Sequence, residues 1–453
     1  MFGLALRSLR LRTGSFAAAF LAIFLGATMV MSFASMLDTG MAQGVPAVSA
    51  EILTIMASVV GGWGSLLVVF AVASTLTLSV RQRAAEMALL RCVGATPAQV
   101  GWMIVGEAAI LAAAGALLAI APAMLAGRVL LRTLIDTGQV APGVIYAFGP
   151  VALGMGLGIT FASALAAAAL AARRTARMRA TESLVAASTD RAKLGRIRIV
   201  AALLCLAGGV NLGVLTMTVM HGRGYEAMAT AGYASILFAV GLALLGPALI
   251  RRVAAILAGP LERFAGISGY LAAQSIRQRT RQMAAALMPI ILFTGAATGV
   301  LYMQSIENAA TAAAGLEKDE FEKAIETLNL VVMGMVALFL CIMLINTLVA
   351  ATTYRSREFG QQRLAGATPG QVLGMVGLEG VVVAATGVLF GTIAALVTVL
   401  PYSFSRTDAL VPDATIAVYL STIAVAFAVT LAASVGTARR TLRRPAVEVV
   451  ADS

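Results

Sequence analysis

Residues 83–100 read RAAEMALLRCVGATPAQV, and residues 355–372 read RSREFGQQRLAGATPGQV. The two stretches align without a gap at a separation of 272 positions, so that Arg83, Glu86, Arg91, Gly94, Ala95, Thr96, Pro97, Gln99 and Val100 each meet an identical residue. Each copy carries a helix stop followed at once by a helix start. Gly94 and Gly366 suit the left-handed position that ends a helix. Two residues later Thr-Pro-x-Gln supplies an N-cap threonine, a proline for the first helical position, and a glutamine that reaches back to close a capping box. The predicted unit is a sharp elbow between a charged approach helix and the helix that starts at Pro97 or Pro369.

The flanks of the two elbows repeat as well. Leu4–Thr13, LALRSLRLRT, matches Leu271–Thr280, LAAQSIRQRT, at an offset of 267, and RRTARMRATESL from Arg173 matches RRTLRRPAVEVV from Arg439 at an offset of 266. Three landmarks at a nearly constant separation define a duplicated module, here 1–188 and 263–453, with 189–262 between the copies.

Composition sets the environment in which these modules work. The 453-residue chain is 60% hydrophobic and 12% charged, with a mean hydropathy of +0.92, which excludes an ordinary soluble domain. A bilayer core of roughly 30 Å takes about 20 apolar residues per helix. Ten charge-poor runs reach that length, near 14–36, 53–80, 97–127, 145–172, 199–220, 229–250, 283–305, 327–352, 369–400 and 414–438. The expected fold is an all-α integral membrane protein with ten transmembrane helices in a 4+2+4 order. The two-span insert leaves both modules in the same orientation, as parallel repeats related by a pseudo-two-fold along the membrane normal.

Charge placement supports this map. With a cytoplasmic N-terminus, only Arg128, Arg132, Arg223, Lys318, Lys323 and Arg406 of the 33 basic residues fall outside, which follows the positive-inside rule. Both termini are then cytoplasmic and the chain sits in the cell membrane. The net charge of +12 belongs to helix ends facing anionic headgroups, so lipid is the expected partner and nucleic acid is not. Cys92, Cys205 and Cys341 have no ligand spacing and read as small core residues, and no metal site is expected. The basic N-terminus ahead of the first apolar run reads as a retained helix rather than a secretory signal.

RxxExxxLRxxGAT, the elbow, and a Glu about ten residues into the next helix resemble the FtsX-type permease domain of type VII ABC transporters, the group that includes MacB and the lipoprotein-sorting permeases. The resemblance implies a permease subunit working with two MacB-like ATPase subunits, alike or different. It also implies a coupling role, docking on the ATPase, for Arg83, Glu86, Arg91, Gly94, Thr96, Pro97 and Gln99, and for Arg355, Glu358, Arg363, Gly366, Thr368, Pro369 and Gln371. Gln361 and Gln362 stand where the first copy has Leu89 and Leu90, so the two elbows need not dock alike. The chain has no G-x-x-x-x-G-K-[ST] loop, so it is expected to be no enzyme and to hold no cofactor, with ATP and Mg²⁺ bound by the ATPase. The large outer domain that MacB carries after the first span has no counterpart in residues 37–50. The one that bacitracin-type exporters carry between spans seven and eight is replaced by about 22 residues from Glu307 to Leu328.

Glu107 and Glu379 are the charged residues inside the predicted spans, at matching places in the two modules. An acid at that depth costs about 2.5–3.5 kcal/mol to insert, which makes both functional candidates; each is expected to pair with an Arg near the inner interface. Asn346, Gln304 and Gly61–Gly64 read as helix-packing features. His221 lacks neighbouring ligands. The acidic stretch 317–326 reads as an extension of the eighth helix, and capture of cationic cargo is a further role open to it. The expected function is an ATP-driven exporter of a hydrophobic or amphipathic substrate such as a lipid, peptide or drug-like molecule. The alternatives are mechanotransmission to an outer partner and an ion-driven secondary transporter.

Overall fold

The structure is a computed structural model that describes residues 13–82, 84–177, 195–223, 225–313, 355–412 and 415–443, with scattered positions from 334 to 352 and residues 445 and 447. Among the described residues it is helical, with no strand. In chain order the helices are α1 Thr13–Gly40, α2 Ala47–Ile55, α3 Gly61–Gln82, α4 Ala84–Cys92, α5 Pro97–Asp136, α6 Pro150–Arg177, α7 Arg196–Thr218, α8 Tyr225–Leu244, α9 Gly246–Phe264, α10 Gly266–Gln278, α11 Thr280–Ala313, α12 Ser356–Leu364, α13 Pro369–Thr407 and α14 Ile416–Leu442. One turn of π-helix, Met56–Val60, joins α2 to α3.

Among the described residues, eight helices are long and apolar enough to cross a membrane: α1, α5, α6, α7, α8, α11, α13 and α14. They coincide with eight of the ten predicted runs. Of the other two, 53–80 is the helical stretch from α2 to α3, and 327–352, with Asn346, lies largely outside the described residues. The run expected to end at 250 stops at Leu244. Gly246 and Pro247 open a separate helix there, whose buried stripe of Ile250, Ala254 and Ala258 opposes exposed Arg251 and Arg252. Proline at the start of a helix explains the break: it adds no orphan N–H there and cannot continue the preceding ladder.

The chain divides into two compact units, Met1–Ser188 with Thr311–Phe339, and Thr189–Ala310 with Leu340–Ser453. In the first, α1, α3, α5 and α6 pack together. Ala27 and Met31 of α1 meet Ala116, Ala119 and Ala123 of α5. A Cβ on Gly115 would lie 2.7 Å from Ile23, so glycine sets how closely these two helices approach.

In the second unit α11 meets α13 in the same way. A Cβ on Gly387 would overlap Ile290, and one on Gly391 would lie 2.5 Å from Thr294. Ile23 and Ile290 are 267 positions apart and Gly115 and Gly387 are 272 apart, so the leading span crosses the long helix at corresponding places in each unit. Helices α7 and α8 pack against each other and onto α13, where Thr398 Oγ1 donates to the Ala231 carbonyl at 2.7 Å.

Candidate functional site

Both elbows form, and from the same interactions. At the first, Ala95 N–H donates to the Leu90 carbonyl at 3.0 Å and Gly94 N–H to Arg91 at 3.1 Å, with Gly94 at φ 105°. At the second, Ala367 N–H donates to Gln362 at 2.9 Å and Gly366 N–H to Arg363 at 3.1 Å, with Gly366 at φ 102°. This six-to-one closure satisfies carbonyls at the helix end and needs a residue that tolerates positive φ.

The next helix is then capped by its threonine and glutamine. Thr96 N–H donates to Gln99 Oε1 at 2.9 Å while Thr96 Oγ1 accepts from Gln99 N–H at 3.3 Å. The Thr368 and Gln371 pair repeats both distances. Pro97 and Pro369 take the first helical positions. Gly94, Thr96, Pro97, Gln99, Gly366, Thr368 and Pro369 are thus gathered on two exposed corners, with Gln371 half-buried. The corners differ in chemistry: Leu89, Leu90 and Val93 are exposed on the first, with exposed Trp102 a turn beyond, whereas Leu364 is the exposed large apolar residue of the second.

The approach helix of the second elbow is fixed by charge. Arg355, 6% exposed, forks onto Glu379, Nη2 reaching Oε1 at 3.0 Å and Nη1 reaching Oε2. Its Nη2 also donates to Ser275 Oγ at 3.0 Å, and its Nε to Glu358 Oε2 at 3.2 Å. Glu358 in turn pairs with Arg279 at 2.6 Å, and the guanidinium lies 5.1 Å from the Phe359 ring. Burial works against the charge on Arg355, yet Glu379 and Glu358 more than offset it and leave its pKa above the ordinary value. Arg363 Nη1 donates to the Leu442 carbonyl at 3.2 Å, tying α12 to the C-terminal end of α14.

Glu107 and Glu379 each border a small cavity. The one beside Glu379 measures about 40 Å³ and is also lined by Thr352, Arg355 and Ser434. The one beside Glu107 measures about 20 Å³. Glu107 is buried to the same degree as Glu379, 3% exposed. Arg83 and Asn346 lie outside the described residues, as does the side chain of Glu86. Arg91, at the end of α4, is half-buried.

Sequence reasoning passed over two polar clusters, one in each unit. Asp38, 8% exposed, accepts N–H bonds from Gly149 at 3.0 Å, Val151 at 3.1 Å and Ala152 at 2.7 Å, and so closes the N-terminus of α6. Glu307, 1% exposed, accepts from Arg406 at 2.8 to 3.1 Å and from the Tyr402 hydroxyl at 2.8 Å. The apolar periodicity that marks spans says nothing of either; the one available signal was a lone acid placed just beyond the end of a span.

His221 Nε2 sits 3.4 Å from Asp408 at an exposed position, and no group of three or more His, Cys, Asp or Glu stands ready for a metal among the described residues.

No curated protein matches the chain. The family model described as FtsX-like permease C-terminal matches residues 58–180 and 330–446, together more than half of the 453 residues. Each matched segment contains one elbow and one of the two acids.

Proposed function

This chain belongs to the FtsX-like permease family, a membrane permease component of ABC-type systems, and from that premise we propose that it is the permease subunit of an ATP-driven exporter. In this reading the chain spans the cell membrane ten times as 4+2+4 helices, with both termini in the cytoplasm. Residues 1–188 and 263–453 form parallel modules related by a pseudo-two-fold, and 189–262 supply two linking spans. Two MacB-like ATPase subunits dock on the elbows at Gly94–Gln99 and Gly366–Gln371 and bind ATP and Mg²⁺. The chain itself is the non-catalytic partner.

The observation that carries this reading is the identical construction of the two elbows. Each closes a charged approach helix and starts a helix of 40 or 39 residues, which at 1.5 Å per residue is about 60 Å, roughly twice the hydrocarbon thickness. Headgroup anchoring calls for basic residues alone. It does not call for Glu86 and Glu358, nor for the same Schellman-type stop and capping box twice. The chemistry of the corners makes docking unequal: the apolar first corner buries Leu89 and Val93 against its ATPase, and the second makes polar contacts through Gln361. Short outer segments favour a hydrophobic or amphipathic cargo that enters from the bilayer.

Co-expression with a MacB-type ATPase followed by affinity purification tests the docking. The wild-type chain retains the ATPase; the double change Val93→Arg and Gln361→Arg, on the exposed corners, releases it. Equal retention by both overturns the assignment. In lipid nanodiscs, lipophilic peptides alter ATP turnover by the complex; turnover indifferent to every such compound rejects the cargo class and leaves force transmission to an outer partner as the function.

A further inference from the structure

The Arg355 cluster holds three helices at one point. Through a single guanidinium it joins Ser275 on α10, Glu358 on α12 and Glu379 on α13, and Arg279, next after α10, adds a second link to Glu358. A buried ion pair contributes little net stability compared with apolar packing, so its value in a membrane protein lies in specifying one arrangement against others. Here the arrangement specified is the attachment of the second elbow. α12 is nine residues long, ends in the glycine stop, and is separated from the start of α13 by four residues, 365–368. Without a lock upstream, movement of the corner is absorbed by pivoting of α12.

The same chemistry is written at the first elbow. In sequence, Ser8 and Arg12 precede Ser275 and Arg279 by 267 positions, and Arg83, Glu86 and Glu107 precede Arg355, Glu358 and Glu379 by 272. The structure adds an independent match in the cavities. Ser79, Ile104, Glu107 and Leu111, which line the first, stand 272 positions before Ala351, Val376, Glu379 and Val383, which line the second. The larger cavity, about 40 Å³ with Thr352 and Ser434 in its wall, has room and polar partners for water. A guanidinium that leaves Glu379 therefore moves into a hydratable space rather than into packed side chains.

We propose that Arg355 and Glu379 are positioning residues that lock α10 and α12 to the start of the long helix α13, so that displacement of the second elbow is passed into the span, and that Glu107 does the same for the first elbow. The part that concerns transmitted force rests on the docking reading above; the lock itself does not.

Hydrogen exchange read by mass spectrometry on the full chain in lipid nanodiscs, without ATPase, tests the lock. Glu379→Gln keeps the shape of the side chain and removes its charge. Exchange in 266–279 and 356–364 is expected to rise about tenfold, the response of a local opening rather than of global unfolding, while 392–407 stays as in wild type. Glu379→Asp, which keeps the charge, recovers most of the protection. Arg355→Met and Glu379→Gln together raise exchange by less than the sum of their separate effects, because the two changes share the Arg355–Glu379 interaction while Arg355→Met also removes the links to Ser275 and Glu358. Ser275→Ala is the gentler variant should Glu379→Gln fold poorly, and its smaller rise is confined to 266–279. Glu107→Gln raises exchange in 84–92. Unchanged exchange in all these segments, or a uniform rise across the whole unit, overturns the proposal. With ATPase present, Glu379→Gln keeps capture but loses permease-dependent stimulation of ATP turnover; loss of capture by the wild-type chain would sink docking alone and leave the exchange result standing.

Discussion

Gly366→Ala and Gly436→Ala are the same chemical change in the same unit with opposite expected outcomes. A Cβ at either position meets nothing within 4 Å, so packing contributes to neither. What differs is the backbone. Gly366 sits at φ 102°, where an L-residue pays roughly 1–2 kcal/mol, whereas Gly436 lies inside α14, where alanine gains roughly 0.5–1 kcal/mol over glycine. The cost at Gly366 falls on the corner itself, because the N–H groups of Ala365, Gly366 and Ala367 are bonded back to Gln361, Arg363 and Gln362. A penalty of one to two kcal/mol is a factor of about 5 to 30 in an opening equilibrium. Amide exchange across 361–369 is therefore expected to rise by about that factor in Gly366→Ala, and the thermal midpoint in detergent is expected to rise in Gly436→Ala. Gly94→Ala repeats the first result at the other elbow. The reasoning fails if Gly366→Ala leaves exchange at the corner unchanged, or if Gly436→Ala lowers the midpoint as much as Gly366→Ala does.

Asp38→Ala removes a carboxylate that accepts three N–H bonds at the start of α6, and buried N–H groups left unmet cost about 1–3 kcal/mol each at most, so a loss of several kcal/mol in denaturation is expected, with Asp38→Asn intermediate. Thr96→Ala and Thr368→Ala each cost about 1 kcal/mol, and because the caps lie in separate units their effects on the unfolding free energy add. Gly115→Ala and Gly387→Ala force Ile23 and Ile290 aside and lower stability by about 1–3 kcal/mol each, whereas Gly106→Ala, with open space around it, does not; thermal midpoints in one detergent rank the three.

What could be read from the residues depended on how far apart the interacting groups lie. The elbows were legible because every atom that builds them belongs to a window of about ten residues: Leu90 to Ala95 for the stop, Thr96 to Gln99 for the cap. The spans were legible because length and hydropathy are properties of one segment. An arginine partner for Glu379 was expected, but Arg355 as that partner, and Ser275 and Arg279 as further members, emerge only when α10, α12 and α13 are side by side. Glu307 escaped because the predicted span ended at 305 while α11 continues to Ala313, burying the acid against Arg406, 99 positions away. Asp38 escaped because an acid in a predicted outer loop looks solvated, and nothing local announces the N-terminus of a helix more than a hundred residues later. The break after Leu244 was signalled by Gly246 and Pro247, which uninterrupted hydropathy outweighed.

The polar clusters around Asp38 and Glu307 show where the two units have diverged. At the elbow end the same stop and cap are built twice, with Gln361 and Gln362 in place of Leu89 and Leu90. At the other end the counterpart of Glu307 is Gly40, and those of Tyr402 and Arg406 are Leu130 and Leu134, while the counterpart of Asp38 is Ser305. One unit seals that end with a carboxylate on backbone amides, the other with an ion pair and a phenol. The ends of the two units are therefore closed by unlike buried interactions, and a substitution at Asp38 perturbs one unit through backbone amides while one at Glu307 perturbs the other through an ion pair. Duplication has preserved the elbow and left the far end of each unit free to diverge.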